Sequence, residues 1–257
     1  MDHIEMRNEF VVLYNNVMSN QAPGLNDYEI SVFLTKGQDE ILKNYFNPKG
    51  NKYQEGADDS PKRQIDFSNL TVIKALDKIS PPASYVKIDP RSQVFEYPMM
   101  VQGGDDYQSI MFALNDYALT DASSTDMVDY ITVKAISYQE YQRLMSKPYK
   151  WPVHGEAWKL IQKSEDGTVN RKVIEIVCKE TIPTKAYFIR FIRKPRPIIV
   201  ADLGSNSGVS LNGYTVALDC ELDTILHEEI VQRAVELAKA AYIGDLNATI
   251  QMGQRSE

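Results

Sequence analysis

Tyr187-Phe188-Ile189-Arg190-Phe191-Ile192-Arg193-Lys194-Pro195-Arg196-Pro197-Ile198-Ile199-Val200 precedes a Gly/Ser/Asn-rich stretch, after which Cys220-Glu221-Leu222-Asp223 heads an amphipathic run. The aromatic and β-branched content predicts a strand over Tyr187–Ile192. Pro195 and Pro197 stop it, because proline has no amide hydrogen to give a central ladder. The run after Asp223 predicts one long helix ending near Ile243. Its stripe is Leu226, Ile230, Ala234, Leu237, Ala238 and Ala241, with Gly244 as the stop. Small residues in that stripe let another helix approach closely. A strand turning into one terminal helix suits a part that docks with copies of itself.

The N-terminal 46 residues read as a helical hairpin. Asp2 and Glu5 have capping-box spacing, followed by Phe10, Leu13, Tyr14 and Val17 at helical intervals. Pro23-Gly24 breaks the pattern. Asn26 with Glu29 caps a second helix, whose stripe is Ile30, Phe33, Leu34, Ile41 and Tyr45 and which Asn47-Pro48 ends. Residues 47–60 form a polar loop, of the length that is either disordered or used in contacts. Ser60-Pro61 starts a short helix.

Between them the pattern turns to short β segments: Thr71–Leu76, Ser84–Ile88, Gln93–Met100, Ser109–Ala118, Met127–Ala135, Trp158–Gln162 and Lys172–Lys179. Tyr187–Ile192, Pro197–Ala201 and Ser210–Ala217 continue the series. Ser164-Glu165-Asp166-Gly167 reads as the turn of a hairpin, and Tyr138–Met145 as a short helix. The expected class is α+β, with an N-terminal helical hairpin and a long C-terminal helix packed with a central antiparallel β domain. The divisions are 1–46 (hairpin), 47–69 (polar loop and short helix), 70–218 (β domain), 219–244 (C-terminal helix) and 245–257 (tail).

With 43% apolar and 25% charged residues in 257, the composition is that of a soluble globular protein able to bury a core. No apolar run is long enough to span a membrane, and the N-terminus carries no basic-then-apolar leader. The two cysteines, Cys178 and Cys220, read as small core residues. A net charge of -7 argues against tight nonspecific DNA binding, which needs cations to displace counterions from phosphate.

Asp202-Leu203-Gly204-Ser205-Asn206-Ser207-Gly208 is similar to the glycine-rich loop of S-adenosylmethionine-dependent methyltransferases, the enzymatic alternative here. Asn206 replaces the middle glycine, a strand-like segment follows where a helix is needed, and too little chain remains for a parallel sheet. A hairpin turn is the better reading. Gly103-Gly104-Asp105-Asp106 resembles the paired-carboxylate turn of RNA-directed polymerases, without the further acidic motifs such a site needs. His3, His154 and His227 are scattered, so no zinc set forms. No catalytic, cofactor-binding or metal residues are therefore expected. The dense basic cluster Arg190, Arg193, Lys194 and Arg196, and the acids Glu228, Glu229 and Glu236 of the last helix, are the candidate subunit-interface residues.

Several segments resemble the neck and tail ring proteins of crAss-like bacteriophages of gut Bacteroidales. They are Glu9–Asn16, Ala22–Glu29, Asp59–Gln64, Lys147–Pro152 and Tyr187–Ile199. To these is added Cys220-Glu221-Leu222 with His227, Glu228, Ile230, Arg233, Ala234, Val235, Leu237 and Ala238. The resemblance implies a structural virion protein without catalysis or cofactor. Its copies would form a homo-oligomeric ring, a dodecamer, against the portal protein and neighbouring ring proteins. As a head-to-tail connector in the neck it would let viral DNA pass through the lumen without specific binding, and no membrane is involved. The protein would reside in the virion neck or tail, and in the host cytoplasm before assembly. A tail-tube or muzzle component is the other virion reading.

Overall fold

The computed structural model describes residues 1–17, 24–47, 55–56, 60–76, 78–80, 85–90, 92–97, 110–119, 130–152, 156–165, 170–178, 186–204 and 208–243. The expected turns at Pro23, at 103–106 and at 166–167, His154, and the tail fall outside these. The chain divides into two compact units, residues 1–70 with 195–257, and residues 71–194. The α+β class holds, with helices from the two chain ends in one unit and a sheet in the other.

The helical unit contains α1 (His3–Val17), α2 (Asp27–Phe46), α3 (Pro61–Asp66) and α5 (His227–Ile243). Both predicted capping boxes form. Glu5 N donates to Asp2 Oδ1 at 2.7 Å and Asp2 N to Glu5 at 3.2 Å, while Asn26 and Glu29 exchange bonds of 2.8 and 2.9 Å. Ser60 caps α3, with Pro61 in the first turn where its missing amide hydrogen costs nothing. Asp223 caps a 3₁₀ turn, Thr224–Leu226, that leads into α5.

The two N-terminal helices share α5 as a packing partner. Met6, Phe10 and Tyr14 form the buried face of α1, with the last two rings stacked 5.9 Å apart. Helix α5 buries two adjoining rows, Ile230/Ala234/Ala238 and Val231/Val235, because it is covered from two sides. The narrower predicted stripe omitted the valines and included Ala241, which is exposed. Tyr45 meets Glu229 and Glu40 meets Arg233, so α2 and α5 run antiparallel. Gly37 lets them close up: a Cβ there would lie 3.0 Å from Ile230 O and 3.1 Å from Ala234 N, both backbone atoms. At the start of α1, His3 donates its backbone N–H to Asp219 Oδ1 at 2.8 Å, and its Nδ1 lies 2.6 Å from the same oxygen. The His3 hydrogen bonds hold the Asp219 carboxyl below its ordinary range.

Seven strands form the second unit: β1 (Thr71–Leu76), β2 (Gln93–Glu96), β3 (Ile110–Leu119), β4 (Tyr130–Ala135), β5 (Glu156–Glu165), β6 (Asn170–Val177) and β7 (Ala186–Arg193). Their order is β1-β7-β3-β4-β5-β6-β2. The expected β5–β6 hairpin forms, with Trp158 opposite Val177 and Glu165 opposite Asn170. One neighbouring pair departs from the antiparallel expectation. Strands β4 and β5 are parallel, since α4 (Tyr138–Met145) lies between them as a crossover. The sheet curls onto itself. Ile79 N donates to Val94 O at 3.0 Å, Lys78 bridges to Phe95, and Phe95 on β2 meets Tyr187 on β7 at 5.2 Å. The interior holds Ile131, Val133, Ala157, Ile174, Ile176, Tyr187, Ile189 and Phe191. Buried aliphatic and aromatic side chains contribute roughly 1.5–3 kcal/mol each.

Three predicted strands are not strands, Pro197–Ala201 being extended chain with a single bridge. Tyr85–Ile88 is a loop pinned by Glu175, a fully buried carboxylate on β6. Glu175 accepts from the Tyr85 hydroxyl, Ile88 N at 3.1 Å, the Ser92 hydroxyl at 2.9 Å and Gln162 Nε2 at 3.4 Å. A carboxylate survives burial only when bonded this fully. Burial, reinforced by Glu175, pushes the Tyr85 phenol above its usual range, so it remains a donor. Ser210–Ala217 folds back at its middle: Leu211 and Tyr214 exchange backbone bonds around Asn212 (φ 53°) and Gly213 (φ 87°). Asn-Gly supplies the two positive φ angles of a tight hairpin turn, and that signal outweighed the strand-like residues beside it.

Gly37→Ala should lower the unfolding free energy by about 1 kcal/mol, seen as a lower urea midpoint. The gain in helix propensity of about 1 kcal/mol is smaller than the strain of about 1–3 kcal/mol from forcing two backbones apart. An increase in midpoint would contradict the close approach. Asp219→Asn should be less stable than the parent at pH 5 and above. Because the folded carboxyl is depressed, its contribution is present above the unfolded value of ~3.9 and is lost as pH falls through the folded one. The gap should therefore close on acidification, read by thermal melts across pH.

Candidate assembly surface

Pro195–Val200 is extended chain, yet it pairs with a helix. Ser31, Thr35 and Gln38 recur on one buried face of α2. Val200 N donates to Ser31 Oγ at 3.1 Å, and Ile198 N donates to Thr35 Oγ1 at 3.2 Å. Thr35 in turn donates to Ile198 O at 3.4 Å, and Gln38 Nε2 donates to Arg196 O at 3.0 Å. Helical residues four apart rise about 6 Å, close to the ~6.6 Å between alternate residues of extended chain. The other edge is held by Leu218, which exchanges bonds of 3.1 and 2.9 Å with Ile199. Pro197 falls on that odd-numbered side and Arg196 N reaches Glu221 at 2.8 Å, so the prolines remove donors that the pairing with α2 does not use. Pro197–Ala201, expected as a strand, is thus extended with a single bridge at Ile199.

The predicted basic cluster is divided between the units. Arg190 and Arg193 lie on β7, with Lys194 just after it, and all three are half-buried. Arg196 belongs to the helical unit, where its Nε lies 3.4 Å from Glu221. Glu228, Glu229 and Glu236 all lie on α5, as expected, but two have close partners in their own chain. Tyr45 donates its hydroxyl to Glu229 at 2.6 Å, and Arg233 bridges Glu236 at 2.8 Å to Glu40 at 2.6 Å. Glu228 receives Gln232 at 3.4 Å. Burial and the Glu229 carboxylate push the Tyr45 phenol up to about 12, so it stays a donor at neutral pH.

A cleft of about 330 Å³ opens beside these acids, lined by Tyr45, Lys62, Arg63, Ile225, Glu228 and Glu229 among others. Arg63 is buried, lies 4.0 Å from the centre of the Tyr45 ring and pairs with Asp66 at 3.1 Å. Sequence reading missed this arginine, as it did the α2 polar row. Lys-Arg on a short helix looks solvated, and Ser31, Thr35 and Gln38 look like a polar face turned to water.

The glycine-rich loop does not continue into a helix. Asp202 Oδ1 takes the Gly204 N–H at 2.9 Å as a local turn, Leu203 N donates to Thr215 O at 2.7 Å, and the chain goes on to the Asn212-Gly213 hairpin. The described residues contain no group of acids, histidines and cysteines that could hold a metal, and no helix long and apolar enough to cross a membrane. Burial pushes the Cys220 thiol up to about 11, which keeps it in the unreactive form.

Residues 1–250 match the family model for phage tail ring protein 3/4. The chain is 46% identical over 254 residues to ring protein 4/5 of Bacteroides phage crAss001, covering 98% of both chains. To ring protein 3 of the same phage it is 25% identical over 240 residues, covering 93% of this chain and 95% of that one.

Thr35→Val should cost about 1–3 kcal/mol, because it strips the partner from a buried N–H and C=O of Ile198. Thr35→Ser, which keeps the hydroxyl, should lose less than half of that. Equal losses in chemical denaturation would mean that Thr35 acts by packing alone.

Proposed function

Because this chain belongs to the phage tail ring protein 3/4 family, a family of structural ring proteins of the virion, we propose that its copies close into a dodecameric ring in the phage neck. The ring stacks between the portal protein and neighbouring ring proteins, joins head to tail, and lets viral DNA pass during packaging and ejection. The observation that carries this reading is the match over residues 1–250, together with 46% identity to ring protein 4/5 across 98% of both chains. The role needs no cofactor and no catalysis. The protein gathers in the host cytoplasm before it is built into the particle.

Physical chemistry supports a conduit. A net charge of -7 disfavours adhesion to a polyanion sliding past. Rings form from head-to-tail contacts between two different patches, repeated until the rotation closes. The basic end of β7 (Arg190, Arg193, Lys194) and the acidic face of α5 are one candidate pair of opposite charge. Arg196, engaged with Glu221, serves the subunit's own fold.

Native mass measurement of the purified chain, alone and with the portal protein, should show a ring-sized species in at least one case, and negative-stain images should show a central hole. Failure to oligomerise and to bind portal or any ring protein would remove the proposal. Duplex DNA should not be retained at physiological salt; submicromolar retention would contradict a passive lumen. Arg190→Glu with Arg193→Glu should lower the ring yield of folded protein, and unchanged yield would discard the pairing between β7 and α5.

A further inference from the structure

Helix α4 ends in a small projecting knob. Lys147 N donates to Leu144 O and Lys150 N to Lys147 O, both at 2.9 Å, so the 3₁₀ turn Pro148–Lys150 continues the helix without slack. Tyr149 at its tip is 78% exposed, and Lys147 and Lys150 on either side are exposed too. The base is firm. Tyr141 meets Trp158 edge-on at 6.4 Å, and Leu144 and Met145 pack on the cluster of Trp158, Leu160 and Val177. Pro152 is buried just beyond. An aromatic held rigidly in water between two cations gains nothing for the fold, and it loses little entropy on docking. Tyrosine is a frequent anchor residue in interfaces.

We propose that this knob is seated in the α3–α5 cleft of a second copy of the chain, as an anchor of the subunit contact. This rests on the ring reading above. The cleft supplies the opposite chemistry: Ile225, 71% exposed, with Glu228 and Glu229 on its rim. Arg63 within it is already matched by Asp66, so the rim acids outweigh Lys62. Its volume of about 330 Å³ is ample for an aromatic side chain together with the stem of a flanking lysine. Knob and cleft differ in shape and sign and lie on different units of one chain, as a head-to-tail contact requires. A tyrosine buries roughly 150–250 Å² of the ~1,600 Å² in a standard interface, so the knob is an anchor within a larger surface.

The test uses the full-length chain under the conditions in which the parent forms rings. Tyr149→Ala and the pair Lys147→Glu/Lys150→Glu should melt like the parent, since these side chains are exposed, yet need at least about tenfold higher concentration to assemble. Adding Glu228→Lys to the lysine pair should recover most of that loss. Independently, Tyr149→Cys with Ile225→Cys should give an oxidative ladder of cross-linked multimers, absent from either single variant and from the parent with its native Cys178 and Cys220. Parent-like assembly of the variants, or rings without that ladder, would overturn the knob contact and leave the ring standing. A parent chain that forms no ring, alone or on the portal protein, would remove both.

Discussion

Backbone donors in a buried segment must find acceptors, and the segment from Pro195 to Val200 finds them on a helix. Its amide hydrogens point alternately to two sides. One side is served by Ser31 and Thr35 of α2 and by Glu221, the other by Leu218. The prolines are tolerated because their positions ask for no further donor. The arrangement fixes α2 against the extended chain, and α2 then meets α5 through Gly37 and Ala234. Loss of the hydroxyl row would leave several polar groups dry, whereas an exposed salt bridge such as Arg7–Asp27 carries much less.

Helix ends and most strands could be read from the sequence because each rests on local chemistry. Asn26 and Glu29 cap each other across one turn, Ser60 precedes Pro61, and Thr71–Leu76 and Tyr138–Met145 fall on the expected residues. The sheet order was not legible. Antiparallel and parallel neighbours share one alternation pattern, and only the crossover through α4 makes β4 and β5 parallel. Tyr85–Ile88 looks like a strand because its residues favour one. What decides its conformation is a carboxylate about ninety positions away, Glu175, reached only after folding.

The charged residues show the same division. Glu228, Glu229 and Glu236 share a helix, as spacing predicts, but their partners Tyr45, Gln232 and Arg233 depend on how α2 meets α5 and on neighbouring turns. The cluster from Arg190 to Arg196 is continuous in sequence and divided in structure, with the unit boundary between Lys194 and Pro195. Runs of charge in sequence therefore show where cations are available, and the fold decides which unit each of them belongs to.

The β unit, residues 71–194, interrupts the helical unit. Its first strand pairs with its last, and Thr71 lies opposite Ile192. The two points where the chain leaves and re-enters are therefore about one strand spacing apart, roughly 5 Å. While the insert is unfolded, bringing α3 and Pro195 together costs the closure entropy of a very long loop. Once β1 and β7 have paired, the same closure spans only a hairpin's width. The sheet acts as a clasp, and the helical unit can form as if its chain were continuous.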